Sequence, residues 1–168
     1  MNPPSRHVRA YVGLGANLDN PRQQVTSAFA ELAAIPGSRL TARSALYRSA
    51  PMGPPGQPDY INAVAALDTG LSPLALLERL QAIEALHGRR RGVRWGPRTL
   101  DLDLLLYGDC CCNNRQLVVP HPGLTQRSFV VVPLLEIAPA LRLPDKRLLQ
   151  DVAQPAWRGE LERLDAGV

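Results

Sequence analysis

The sequence contains no apolar run long enough to cross a membrane. No stretch approaches the roughly 18 consecutive apolar residues that a transmembrane helix requires. Residues 1–17 also have no uninterrupted apolar region of the kind that secretory signal peptides carry. No internal repeat or low-complexity segment interrupts the chain. We therefore expect a cytoplasmic protein that makes no use of a membrane.

Cysteine is scarce, and its spacing fits neither a disulfide framework nor a zinc site. The three cysteines, Cys110 to Cys112, are consecutive, whereas zinc sites typically use paired C-x-x-C ligands. Because neighbouring residues of a strand point to opposite faces, Cys110 and Cys112 would share a side and Cys111 would face away. We interpret all three as small side chains at the end of a strand, with adventitious metal binding or oxidation as the alternative.

Aromatic residues are also few. They make up 5% of the 168 residues, and only two are phenylalanine, so no strand is rich enough in aromatic side chains to stack unpaired bases. The formal net charge of +4 and the pI near 9.3 suit an anionic ligand without requiring a nucleic acid. A nucleic-acid-binding module is the alternative from a different class of protein, and this composition weakens it.

The glycine motif near the N-terminus is incomplete as a dinucleotide fingerprint. Residues 13–17 read GLGAN, but Leu18 occupies the place of the third glycine of G-x-G-x-x-G. The chain also lacks the alternating strands and helices of a doubly wound sheet. We interpret Gly13 and Gly15 as a tight turn from a strand into a helix, close to the functional site.

Hydrophobic residues make up 45% of the chain, which is enough for the core of one compact domain, residues 1–168. Periodicity and turn residues predict strands at 6–15, 38–51, 59–70 and 100–108, and helices from Asn20 to before Gly37, at 72–88, and from about 126 to about 137. Asn20 and Ser72 would cap the first two helices. This βαββαβ order is typical of a ferredoxin-like α+β domain with a mainly antiparallel sheet, packed helices and here a helical C-terminal extension.

A D-x-D motif begins the last strand of this core. Strand alternation puts Asp101 and Asp103 on one face, roughly 7 Å apart. Two carboxylates this close repel each other, and a proton, a nearby arginine or a hard divalent cation relieves the repulsion. Magnesium takes one or two carboxylates and completes its shell with water and phosphates. Salt bridges to Arg94 and Arg98 are the purely structural alternative.

Side chains suited to phosphates and to a flat ring surround this motif in the sequence. Guanidinium groups match phosphate oxygens, and with D-x-D they supply both halves of a nucleoside triphosphate clamp; the loop before the motif holds Arg89, Arg90, Arg91, Arg94 and Arg98. Tyr60 and Asn62 share a strand face, where an aromatic ring and an amide suit a hydrogen-bonding heterocycle. Another metal-dependent nucleotide transferase with D-x-D would need a larger, doubly wound domain.

Four segments resemble, in register, the 6-hydroxymethyl-7,8-dihydropterin pyrophosphokinase family of folate biosynthesis. They are GLGANL, YRSAPMGPPGQPDYINAV, RWGPRTLDLDLLLYG and VPHPGLTQRSFVVVPLLEIAP, and the resemblance runs from about residue 8 to about residue 152. It implies transfer of pyrophosphate from ATP to the hydroxymethyl group of a reduced pterin, with release of AMP. It also implies a ferredoxin-like fold and a single catalytic domain, and we expect a monomer.

The resemblance implies roles for individual residues. The catalytic and metal-binding aspartates would be Asp101 and Asp103, which would hold two magnesium ions, while Arg89 and Arg98 would stabilise the transferred group. Contacts to ATP would come from Gln81, Glu84, Arg91, Arg94, Trp95, Arg98, His121 and Arg127. Contacts to the pterin would come from Ser49, Met52, Tyr60, Asn62, Trp95 and Phe129, with the ring held between Tyr60 and Phe129.

Three departures from the family pattern affect the nucleotide site. Pro122 stands where the family often has an aromatic residue after the histidine of VPH. The arginine loop is one residue shorter than in some relatives, so that either Arg89 or Arg90 would be the catalytic loop arginine. An arginine that contacts the nucleotide in relatives is represented here by Arg115 or by no residue.

Overall fold

The computed structural model describes residues 7–51, 55–88 and 99–164, except for the side chain of Arg158. The described elements, in chain order, are β1 (Val8–Ala16), α1 (Pro21–Ala33), β2 (Ser38–Arg43), β3 (Leu46–Ser49), β4 (Tyr60–Thr69), α2 (Pro73–Leu86), β5 (Asp101–Tyr107), β6 (Cys112–Asn113), β7 (Val118–Val119), a 3-10 turn (Leu124–Gln126), α3 (Ser128–Ile137), α4 (Leu149–Val152), α5 (Trp157–Glu160) and β8 (Glu162–Leu164). The predicted mixture of helices and strands is confirmed.

The main sheet is antiparallel throughout. Its strand order is β5-β1-β4-β3-β8, and β2 also pairs with β4. The predicted strand 38–51 is interrupted at Ser44, which makes two hydrogen bonds to Val64. The Ser44 N–H donates to the Val64 carbonyl at 2.8 Å, and the Ser44 hydroxyl accepts from the Val64 N–H at 2.9 Å. The hydroxyl replaces a backbone carbonyl there, so the chain leaves regular strand geometry before β3 begins.

Each face of the sheet carries its own apolar core. The first core contains the buried sides of α1 and α2, including Phe29 and Leu80, and packs against Leu102 and Leu104 of β5. The second core contains α3 and the C-terminal segment, including Leu134. A bulge in the pairing of β5 with β1 changes the register. The sheet therefore separates α1 and α2 from α3, and the candidate site lies on the α3 face.

Of the two predicted N-terminal helix caps, the one on α2 is present and the one on α1 is absent. Ser72 caps α2 as predicted, since its hydroxyl accepts a hydrogen bond from the Ala75 N–H at 3.2 Å. The prediction that the Asn20 side chain caps α1 is wrong: Asn20 has a left-handed backbone (φ 60°) and makes no side-chain cap bond. Its backbone carbonyl instead accepts from the Gln24 N–H at 3.0 Å, and Pro21 still occupies the first turn.

The C-terminal extension contains a strand as well as helices. Two four-residue helices, α4 and α5, precede β8, which pairs with β3 and so extends the sheet. Trp157 is 6% exposed and belongs to the second core. Among the described residues, none of the helices has the length and apolar character that a membrane crossing requires.

Candidate active site

A pocket opens where β1, β4 and β5 meet the start of α3. Its walls bring together residues that are far apart in the sequence. They are Gly13, Leu14, Gly15, Ser49, Ala50, Tyr60, Asn62, Ala63, Asp101, Asp103, Arg127, Phe129 and Val130. Both aspartates of D-x-D and the predicted ring-binding residues Tyr60, Asn62 and Phe129 therefore face one space.

Two glycines lie inside β1 and form the floor of this pocket. Gly13 pairs with Asp103 and Gly15 with Asp101, so the interpretation of these glycines as a strand-to-helix turn is wrong. A Cβ on Gly15 would lie 3.4 Å from Asn62 Oδ1, so a side chain at this position would narrow the pocket. Glycine inside a strand often marks a close approach by a ligand or by another chain segment, which is the signal that could have identified this role.

The β4 side of the pocket presents a tyrosine and an oriented amide. Tyr60 and Asn62 line the same space, as strand alternation predicts. Asn62 is 3% exposed, and its Nδ2 donates to the hydroxyl of Ser49 on β3 at 2.7 Å. The three residues therefore form a continuous wall with an aromatic ring at its outer end and a fixed amide further in.

The start of α3 adds Phe129 and Arg127 to the lining of the pocket. The Arg127 guanidinium lies 5.8 Å from the centroid of the Phe129 ring, within the range of a cation–π contact. Arg127 also passes close to Gly123, where a Cβ would lie 2.6 Å from Arg127 Nε. Gly123 thus gives the guanidinium room to reach the pocket.

Asp103 stands next to His121, which follows β7. His121 Nδ1 accepts a hydrogen bond from the Gly123 N–H at 3.1 Å, so the ring proton of the neutral histidine is on Nε2, which lies 4.0 Å from Asp103 Oδ2. Burial lowers the pKa of His121, Arg127 lowers it further, and Asp103 opposes the change. Burial and Arg127 thus favour the neutral ring of His121, whose Nε2–H faces Asp103.

The predicted ATP contacts on α2 lie elsewhere. Gln81 is exposed, and neither Gln81 nor Glu84 is among the described residues that line the pocket. Glu84 is buried, at 7% exposure, and its Oε2 accepts a hydrogen bond from the Leu102 N–H at 2.9 Å. Glu84 therefore contacts the backbone between the two aspartates.

Several predicted site residues lie outside the described part of the chain. They are Met52, in residues 52–54, and Arg89, Arg90, Arg91, Arg94, Trp95 and Arg98, in residues 89–98. Their roles stay predictions. Arg115, a predicted candidate for nucleotide contact, is exposed in the turn between β6 and β7.

The carboxylate pair fits a hard cation that binds together with phosphates. In the described part of the chain, no cluster of three or more His, Cys, Asp or Glu side chains could hold a metal by itself. Asp101 and Asp103 would supply two carboxylates, which matches the preference of Mg²⁺ for one or two carboxylates completed by water and substrate phosphates. Cys110 and Cys112 pack against the first core and Cys111 is exposed, which are the predicted sides, although Cys110 and Cys111 lie between β5 and β6 and not in a strand.

The fold is that of known pyrophosphokinase-containing structures. A variant of HPPK-DHPS from Plasmodium falciparum with pteroate aligns with a TM-score of 0.73 over 96% of this chain and 47% of that chain, at 11% identity. An HPPK-DHPS structure in complex with substrates gives a TM-score of 0.66 over 87% of this chain and 43% of that one, at 12% identity. The chain thus spans less than half the length of these structures, and the likeness concerns the fold alone.

The sequence defines the family more closely. The family model described as 7,8-dihydro-6-hydroxymethylpterin-pyrophosphokinase (HPPK) matches residues 11–139. A 2-amino-4-hydroxy-6-hydroxymethyldihydropteridine pyrophosphokinase of Pseudomonas aeruginosa is 50% identical over 156 residues, 93% of this chain and 96% of the relative. One of the same name from Haemophilus influenzae is 46% identical over 147 residues, 88% and 92% of the two chains. The chain belongs to the HPPK family.

Proposed function

We propose that this protein transfers pyrophosphate from ATP to the hydroxymethyl group of 6-hydroxymethyl-7,8-dihydropterin, releasing AMP, in folate synthesis. Membership of the HPPK family supports this function, as do relatives named for the same activity that align over nearly their full length. The observation that carries the proposal is that Asp101 and Asp103 face the same pocket as Tyr60, Asn62 and Phe129. A cation-dependent phosphate site and a site for a flat heterocycle are therefore adjacent.

The pterin would bind between two aromatic side chains. Tyr60 and Phe129 both line the pocket, and aromatic rings gain from stacking on a flat heterocycle. Asn62, held by Ser49, would hydrogen-bond the edge of the ring. Met52 and Trp95 would add contacts from the segments that lie outside the described residues. The hydroxymethyl group would then point toward the aspartates.

ATP would place its phosphates between the aspartates and the cationic side chains. Asp101 and Asp103 would hold magnesium, which we propose as two ions, and magnesium supplies charge neutralisation of the phosphates. Arg127 and the neutral Nε2–H of His121 would bind phosphate oxygens from the other side. The remaining residues proposed to contact the nucleotide are Gln81, Arg91, Arg94, Trp95 and Arg98, with Arg89 or Arg90 as the further loop cation. Glu84, which the family resemblance also assigns to ATP, would act instead through the backbone of β5.

In this reaction the protein would act by positioning the substrates and not by covalent catalysis. The hydroxymethyl oxygen forms a bond to the β-phosphorus of ATP and gives up its proton to water, while the bond from that phosphorus to the α,β-bridging oxygen breaks and AMP leaves. Phosphoryl transfer gains most of its acceleration from alignment and from stabilisation of charge. Tyr60, Asn62 and Phe129 align the acceptor, while Arg127, Arg98 and the loop arginine stabilise the transferred group. No covalent enzyme intermediate is required.

The core is proposed to be ferredoxin-like and to act as one monomeric domain. If β2 and β3 are counted as one interrupted strand, the sheet order β5-β1-β4-β2/β3 has the two helices α1 and α2 in the crossovers of a βαββαβ unit. The pairing of β8 with β3 supports a C-terminal extension that completes the same sheet. Sedimentation of the purified chain would measure its oligomeric state.

The proposed function is tested by product formation. Purified protein is incubated with ATP, Mg²⁺ and 6-hydroxymethyl-7,8-dihydropterin, and AMP is followed by chromatography, with a matched reaction that lacks the pterin. AMP and a pyrophosphorylated pterin should appear together in equal amounts. If AMP formation does not exceed that of the control, the protein does not have this activity.

A further inference from the structure

The carboxylate of Glu84 is buried on the helix that packs against the aspartate-bearing strand. Glu84 is 7% exposed, and α2 buries Leu76, Leu80 and Ile83 in the first core beside β5. A buried carboxylate is costly unless hydrogen bonds compensate for its lost hydration. Its Oε2 accepts one from the Leu102 backbone at 2.9 Å. The burial of the Glu84 carboxylate beside β5 therefore requires an explanation.

Leu102 belongs to an edge strand. Among the described strands, β5 has one neighbour in the sheet, β1. An edge strand leaves alternate backbone N–H groups without a partner strand. In β5 the N–H of Leu102 donates instead to Glu84, so a side chain from α2 supplies the acceptor that a neighbouring strand would otherwise provide at this residue. A carboxylate makes this bond stronger than a neutral acceptor would.

The hydrogen bond from Leu102 to Glu84 matters because of where the Leu102 amide lies in the D-x-D motif. Leu102 is the residue between Asp101 and Asp103, and its own side chain, 4% exposed, is packed in the first core. The peptide is therefore held by its side chain in the core and by its N–H on Glu84. On the other face, the two aspartates project into the pocket. Movement of this peptide would change the spacing of the two carboxylates.

We propose that Glu84 is a positioning residue that fixes the spacing of Asp101 and Asp103 through the Leu102 amide, so that the cation site is formed before the nucleotide binds. The link to the cation rests on the proposed function. This role differs from a direct contact between Glu84 and the nucleotide. It requires a hydrogen-bond acceptor at this position, and the negative charge strengthens the bond without being essential to it.

Three variants separate these roles. Glu84→Gln keeps an acceptor of the same length, Glu84→Ala removes it, and Glu78→Ala, on an exposed position of the same helix, is the matched control. The first readout is the exchange rate of the Leu102 amide proton, measured by NMR on the protein without ligand. The second is the affinity for Mn²⁺ in the presence of a non-hydrolysable ATP analogue, measured by electron paramagnetic resonance. Neither readout depends on turnover.

The proposal expects Glu84→Ala to speed exchange at Leu102 by about tenfold or more and to weaken Mn²⁺ binding by a similar factor, as the loss of one charge-assisted hydrogen bond implies. Glu84→Gln should recover most of both values, and Glu78→Ala should match the wild type. KM for the pterin should change little. If Glu84→Ala does not fold, Glu84→Met, which fills the space without an acceptor, replaces it.

Two results would overturn the proposal. One is unchanged Leu102 exchange together with unchanged Mn²⁺ affinity in Glu84→Ala. The other is a loss of metal-free nucleotide binding in both Glu84→Gln and Glu84→Ala with Leu102 still protected, which would make Glu84 a direct nucleotide contact. Failure of the proposed function would show separately, as absence of AMP formation by the wild-type protein.

Discussion

Asn62 and Ser49 form a buried hydrogen bond between neighbouring strands, from Asn62 Nδ2 to Ser49 Oγ at 2.7 Å. An amide has a donor end and an acceptor end, so binding of Nδ2 to Ser49 determines where the carbonyl points. Asn62 Oδ1 lies toward Gly15, in the floor of the pocket. The bond between these two side chains therefore gives the pocket an acceptor of fixed orientation for the N–H groups of a heterocycle.

Replacement of Ser49 by alanine should weaken pterin binding selectively. Without the hydroxyl, the Asn62 amide loses its partner and its orientation, and a hydrogen bond of about 1 kcal/mol predicts a rise of roughly five- to tenfold in KM for the pterin. KM for ATP should change little. The control is Ser38→Ala, which removes a hydroxyl that pairs with Thr69 Oγ1 at 2.6 Å away from the pocket. Equal KM values for Ser49→Ala and wild type would contradict this orienting role.

Replacement of Gly15 by alanine should obstruct the same site. The added Cβ would lie 3.4 Å from Asn62 Oδ1 and 3.8 Å from Tyr60 Cδ1, so it would occupy space between the two groups proposed to hold the pterin. We expect pterin affinity, measured by calorimetry, to fall by about tenfold, because shape mismatch in a packed site costs about 1 to 3 kcal/mol. Gly159→Ala, where a Cβ meets nothing within 4 Å, is the control. Undiminished affinity in Gly15→Ala would place the pterin elsewhere.

Replacement of Asp103 by alanine should abolish turnover. Loss of one of two carboxylates removes a ligand from the proposed cation site, and cation stabilisation of transferred phosphoryl groups is worth several kcal/mol, so AMP formation should fall by about a thousandfold. Arg98→Ala should chiefly slow the chemical step. Asp109→Asn, at an exposed position beyond the end of β5, is the control. Normal turnover in Asp103→Ala would refute the metal-binding role of this pair.

Replacement of all three cysteines by serine should leave activity near normal. Cys110 and Cys112 pack against the first core while Cys111 is exposed, and in the described part of the chain none of them lines the pocket. Loss of two partly buried thiols should lower stability by about 1 kcal/mol at most per site. The rate of AMP formation and the thermal midpoint are the measurements. A large loss of rate at unchanged stability would show that a thiol takes part in function.

Features encoded by short stretches of sequence could be predicted. Helix α2 begins at Pro73 after the Ser72 cap, and both signals lie within two residues of each other. The common face of Asp101 and Asp103 follows from the period of a strand, which is two residues. The convergence of these aspartates with Tyr60 and Phe129 was implied by the family resemblance, since spacing along the chain does not determine which strands become neighbours.

Features that depend on distant partners could not be predicted from local pattern. Ser44 interrupts a predicted strand because its hydroxyl binds Val64, and strand β8 forms because β3 has a free edge for it. Gly13 and Gly15 resemble a turn in isolation, yet their pairing with β5 keeps them in a strand. In each case the partner residue is at least 20 positions away, and local propensity yields to that tertiary contact.

The buried Tyr47 and the exposed Glu136 form a second hydrogen-bonded pair, and a pH dependence of stability follows from it. The Tyr47 hydroxyl donates to Glu136 Oε1 at 2.6 Å, and the Ala45 N–H also donates to the same carboxylate. Burial raises the pKa of Tyr47 to about 12, and the Glu136 carboxylate contributes to the rise. The unfolded chain therefore loses this proton near pH 10, whereas the folded protein keeps it until about pH 12. Stability from this group is complete below pH 10 and is lost as the pH rises through 12.

The Tyr47→Phe variant tests this pair. At pH 7 the free energy of unfolding of the variant should be lower than that of the wild type by about 1 to 2 kcal/mol, because the charged Glu136 carboxylate loses the hydrogen bond that the Tyr47 hydroxyl donates. Between pH 10 and 12 the difference should shrink, since only the wild type has a Tyr47 proton to lose. Urea unfolding at a series of pH values measures both free energies under matched conditions. A difference that stays constant up to pH 12 would show that the Tyr47 pKa is not raised by folding.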